Sequence, residues 1–169
     1  MPYATRDAAA CVLNGRFHVA GGIGPEPRAL QVFDLERSAW ELGAALPAER
    51  HFAAGVAREG KLVLFGGEVD YKPSASAIAY DPGAEEYTEW ARTGPTLPRP
   101  RIRGRAVWLD GELVIVGGGP GERPPLRCQD GEWSAIDRDV AGDGATSAST
   151  AGAFAVSNLS PAAAGMCLG

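Results

Sequence analysis

Apolar residues come in short runs, and each run is closed by glycine, proline, asparagine or aspartate. Runs of this length, bounded by turn residues and lacking a 3.6-residue period, predict β-strands. In the first unit they cover residues 8–13, 17–20, 30–34 and 39–42. Asn14-Gly15 joins the first two. That dipeptide favours a type I′ hairpin turn, which needs positive φ at both central positions. Gly21-Gly22 closes the second strand, where the chain has to turn without a Cβ penalty. The second unit repeats this order with strands over 52–57, 62–65, 75–80 and 87–90. Its turns are Glu59-Gly60 and Asp81-Pro82-Gly83, and a longer loop is expected from Glu68 to Ser74. The third unit has strands over 104–109, 113–116, 126–129 and 133–136, with turns at Asp110-Gly111 and Asp130-Gly131.

The repeat is fixed in register. Gly15, Gly60 and Gly111 each stand six positions before a doublet, at Gly21-Gly22, Gly66-Gly67 and Gly117-Gly118. Successive doublets are 45 and 51 residues apart (66 − 21 and 117 − 66). A period of this size marks a stacked repeat architecture. Each unit makes one antiparallel sheet with two apolar faces, which only a neighbouring unit can cover. The fold class is therefore all-β.

The order of strand, turn glycine, strand, Gly-Gly, Tyr-Asp-Pro-like turn and tryptophan resembles the kelch repeat. It is carried here by the three doublets, by Phe33-Asp34 and Tyr80-Asp81-Pro82, and by Trp40, Trp90 and Trp133. The third unit departs from it, with Cys128-Gln129 in place of Tyr-Asp. The resemblance implies a kelch-type β-propeller with three four-stranded antiparallel blades over residues 1–137, at about 6–49, 50–100 and 101–137. The tryptophans would then be filler between blades. Residues 138–169, rich in Ala, Gly and Ser, read as a tail or a degenerate part-blade. Propellers usually hold about 4–8 blades. Three leave a ring unfinished, so the first expectation is a fragment of a longer propeller. The second is a homodimer closing a six-bladed ring.

Composition narrows the function. The formal charge is −5 over 169 residues, which argues against a nucleic-acid or membrane-surface partner. Cys11, Cys128 and Cys167 are an odd number and far apart, so they predict buried thiols and no disulfide framework. The first residues lack a basic segment followed by an apolar one, and no apolar run reaches the roughly 18 residues of a membrane span. A reduced, cytoplasmic setting follows as an expectation.

In kelch-like propellers the segments before each first strand ring one mouth of the channel. Arg50, His51, Arg101 and Arg103 map there. With Arg105 the last two would share one side of an extended stretch. The expectation is a basic mouth that binds an acidic or phosphorylated protein or peptide partner, because guanidinium pairs bidentately with carboxylate and phosphate. The resemblance implies an adaptor or scaffold role, with no catalytic residues, metal or cofactor. The alternative is a piece of a propeller enzyme of the galactose-oxidase or sialic-acid epimerase kind. His18 and His51 occupy different parts of their repeats, which disfavours a shared metal. Acid–base work by Glu68 and Asp70 is the remaining enzymatic candidate.

Overall fold

The computed structural model describes residues 1–84, 86–89, 96–119 and 124–136, with backbone alone for 86–89. Trp90 and the segment 138–169 lie outside the described residues. The described chain is all-β. Sheet I holds β1 (Ala9–Leu13), β2 (Arg16–Ala20), β3 (Leu30–Asp34) and β4 (Ala39–Leu42). Sheet II holds β6 (Ala54–Arg58), β7 (Lys61–Phe65), β10 (Ala77–Asp81) and β11 (Glu86–Glu89). Sheet III holds β12 (Arg105–Leu109), β13 (Glu112–Val116), β14 (Leu126–Gln129) and β15 (Glu132–Ala135). All three are antiparallel, with strands paired in sequence order. The first turn of each unit has positive φ at both central residues, as at Asn14 (51°) and Gly15 (71°), which is the I′ geometry that Asn-Gly favours.

Alternation sorts the side chains onto two faces. One face of sheet I turns Cys11, Ala20, Leu30 and Val32 toward Leu62, Leu64, Ile78 and Tyr80 of sheet II. The other face of sheet II turns Val56, Val63, Phe65 and Ala79 toward Leu113, Ile115 and Cys128 of sheet III. Sheet II is thus covered on both sides. Burying one such aliphatic side chain is worth about 1.5–3 kcal/mol, so the stack coheres through these two layers. A Cβ on Gly55 would lie 3.2 Å from the Ala9 Cβ. That distance shows how closely the first strands of sheets I and II approach.

A fourth sheet was not expected. Where a loop is predicted from Glu68 to Ser74, the chain forms β8 (Glu68–Val69) and β9 (Lys72–Pro73), and β8 pairs with β5 (Arg50–His51). Gly66 and Gly67, at φ 63° and 79°, steer β8 back along the segment that precedes β6. Asp70 and Tyr71 close the hairpin at φ 47° and 63°. Aspartate tolerates this region, whereas a tyrosine there is strained by about 1–2 kcal/mol. Residue pairs too short to show periodicity left this sheet hidden in the sequence.

The tryptophans differ in surroundings. Trp133 packs at the sheet II–III layer, edge-on to Phe65 at 6.1 Å. Trp40 lies against Phe33 (5.1 Å) on the face of sheet I that turns away from sheet II. Trp108, not part of the repeat signature, also enters the II–III layer, with the Arg58 guanidinium 4.3 Å over its ring.

Candidate functional site

The segments before the first strands meet the doublets at one end of the stack, and their contacts recur at matching positions. Thr5 Oγ1 donates to Gly21 O (3.0 Å). Ten residues before their own turn glycines, Arg50 Nη1 and Arg101 Nη1 donate to Gly66 O and Gly117 O, at 2.5 Å each. Arg50 Nη2 also reaches Ser76 Oγ (2.9 Å), and Arg101 Nη2 reaches Pro124 O (3.1 Å). In the other direction, Gly22 N–H donates to Arg50 O (2.9 Å) and Gly67 N–H to Arg101 O (2.8 Å). Each arginine therefore holds its own doublet through its side chain and the preceding doublet through its backbone. A Cβ at Gly21 would overlap Arg50 O, and one at Gly66 would overlap Arg101 O. Gly21 and Gly66 are glycine because a neighbouring main chain occupies that space.

Two residues further on, a second ladder crosses the units. Phe52 N–H donates to Asp7 O (2.9 Å), and Arg103 N–H donates to Phe52 O (2.8 Å). Asp7, Phe52 and Arg103 all have positive φ, at 57°, 58° and 60°. This kink prevents the extended stretch expected through Arg101, Arg103 and Arg105. Arg101 is buried, while Arg103 and Arg105 are exposed.

The four expected partner-binding residues thus divide. Arg50 is 5 % exposed, and burial pushes its pKa down to about 10, so it stays charged at neutral pH. Arg50 and Arg101 aim their guanidinium groups inward, at carbonyls. His51 is also buried, with Nε2 2.8 Å from Glu68 Oε2 and its ring 5.1 Å from both Phe52 and Tyr71. Arg103 is exposed, and its guanidinium lies 4.3 Å over the Phe52 ring. Tyr71, at the tip of the β8–β9 hairpin, is 71 % exposed. An exposed arginine and two aromatic rings around a buried histidine form one continuous patch.

Asp7, which carries the first step of the ladder, forms an ion pair with Arg6 (2.8 Å). Glu68 is engaged by His51, and Asp70 lies at the hairpin turn beside Tyr71. His18 is far from this cluster in the repeat: it sits between sheets I and II, with Nδ1–H donating to Arg16 O (3.2 Å) and its ring 6.4 Å from Tyr80. Among the described residues no three His, Cys, Asp or Glu side chains converge on a metal-sized site. None of the described elements is a helix long and apolar enough to cross a membrane. The signal that could have exposed Tyr71 was faint: a lone aromatic between Asp70 and Lys72.

Comparison with protein family models gives no match, and comparison with curated proteins gives none either.

Proposed function

We propose that this chain is part of a kelch-type propeller, with sheets I, II and III as three blades, and that it works as a protein-interaction module. Its partner is a protein or peptide segment with an acidic or phosphorylated side chain, bound at the rim where Arg103, Phe52 and Tyr71 lie together. The observation that carries this reading is the exposed Arg103 guanidinium on the Phe52 ring. The Phe52 ring supports the guanidinium of an exposed arginine, and arginine is the side chain that pairs bidentately with carboxylate or phosphate. Arginine and tyrosine are also the residue types enriched at binding hot spots. Arg50, Arg101 and His51 serve as supports: they fix the doublets and the β8–β9 hairpin that carry the exposed groups. An adaptor role in a reduced, cytoplasmic compartment belongs to the same reading.

The test is binding of fluorescent phosphoserine- and glutamate-containing peptides, compared with neutral ones, followed by anisotropy. The chain should prefer the charged peptides, and the preference should weaken with salt. Arg103→Glu should lower affinity at least tenfold, and Tyr71→Ala by a smaller factor, with thermal stability little changed. Equal binding of charged and neutral peptides, or full binding by Arg103→Glu, would show the proposal to be wrong.

A further inference from the structure

The stack has two end faces, and their junction groups match each other. At the two internal junctions, the carbonyl of Arg50 or Arg101 enters the space above Gly21 or Gly66 and accepts the N–H of Gly22 or Gly67. Gly21 and Gly66 are buried in consequence. Gly117 holds the same place in sheet III with the same φ (67°), yet it is exposed and has nothing within 4 Å of a Cβ position. Among the described residues no carbonyl meets the Gly118 N–H, and no N–H meets the carbonyl of Arg103. At the other end, Thr5 takes the position of Arg50 and Arg101 and bonds Gly21 O as they bond their own glycines. Thr5 O and the Asp7 N–H are therefore the groups that a Gly118 N–H and an Arg103 carbonyl would meet.

The side chains match as well. The outer face of sheet I follows the register Val12–Phe17–Phe33–Trp40 and carries no charge. Val12 is 38 % exposed. The outer face of sheet III follows Val107–Val114–Arg127, with Arg105 and Leu109 on the same side and the acids Glu112 and Glu132 in the row that starts at Leu109. Leu109 is 41 % exposed. The internal junction already places an arginine on an aromatic ring, Arg58 on Trp108, and cations on sheet III facing rings on sheet I repeat that complementarity. Arg105 stands where sheets I and II carry Ala9 and Ala54, but its Nη1 turns back to Gly104 O (3.2 Å). In the pairing proposed below it would face Ala10, a small residue, of the second copy.

We propose that the outer face of sheet III binds the outer face of sheet I of a second copy of this chain. Thr5 O accepts the Gly118 N–H, the Asp7 N–H donates to Arg103 O, and Val114 packs against Phe17. The contact is head to tail, so two copies close through two equivalent junctions. They would give six sheets, within the about 4–8 of propeller rings. This rests on the propeller reading above, but not on its peptide site.

The experiment is the solution mass of the full chain by light scattering over a wide concentration range. The expected mass is twice that of one chain. Val114→Glu and Phe17→Glu should each raise the dimer dissociation constant at least tenfold, with unchanged circular dichroism. Leu109→Glu, at an exposed position where misfolding is not at issue, should act in the same direction. Arg103→Glu should stay dimeric while losing peptide, which separates failure of pairing from failure of the rim site. A single-chain mass for the unaltered protein would overturn the proposal. So would open polymers, or dimers that all three face variants leave intact.

Discussion

Replacing Arg50 with methionine tests the central claim about the site, that this arginine holds the fold and does not itself contact a partner. Methionine keeps the buried stem and removes the guanidinium. Two close bonds disappear, to Gly66 O at 2.5 Å and Ser76 Oγ at 2.9 Å; the third, to Ser76 O at 3.4 Å, is too long to count for much. A hydrogen bond from a charged donor contributes about 1.5–3 kcal/mol net. Gly66 is buried, so its carbonyl is left without solvent, whereas Ser76 is exposed and can rehydrate. The expected loss is thus about 2–4 kcal/mol. Against a typical total of about 5–15 kcal/mol, and with a urea slope of about 2 kcal/mol per molar, the midpoint should fall by about 1–2 M. Tryptophan fluorescence in urea reads this directly. Arg103→Met is the matched control, since an exposed cation–π contact is worth about 0.5–1 kcal/mol. Arg50→Lys should fall between, because an ammonium cannot span both acceptors. A loss under about 1 kcal/mol for Arg50→Met, or equal losses for Arg50→Met and Arg103→Met, would refute the reasoning.

Two further outcomes follow from the doublets and from His18. Gly60→Ala should cost about 1–2 kcal/mol, the left-handed penalty alone, since φ is 75° and nothing lies within 4 Å. Gly66→Ala adds an overlap with Arg101 O and strains the Gly67 N–H bond to that carbonyl, so chemical denaturation should show it costing at least twice as much. Burial lowers the His18 pKa below its usual 6.5, with the bond to Arg16 O acting against the shift. The neutral form is thus favoured in the folded state. Its contribution is complete above about pH 6.5 and is lost as pH falls from there toward the lowered folded value. His18→Gln should flatten stability between pH 7 and 5 in urea titrations; an unchanged slope would assign the acid loss to other groups.

The sequence alone determined the strands and their order. Turn glycines, doublets and alternating apolar residues act locally, so sheets I, II and III have the expected members, with ends shifted by a residue or two. It also marked Arg50 and Arg101 as equivalent, ten residues before Gly60 and Gly111, and placed His51 and Arg103 in the same two segments. What those residues do was decided by tertiary structure. An arginine reads the same whether it faces water or a carbonyl. Only the packing of one unit's main chain into the next unit's glycine doublet shows that Arg50 and Arg101 point inward. The kink at Arg103 and the β8–β9 hairpin depend on that same long-range contact, which is why the exposed patch of Arg103, Phe52 and Tyr71 could not be read from sequence. Local chemistry fixed the repeat, and contacts between repeats made Arg50 and Arg101 supports and left Arg103 exposed.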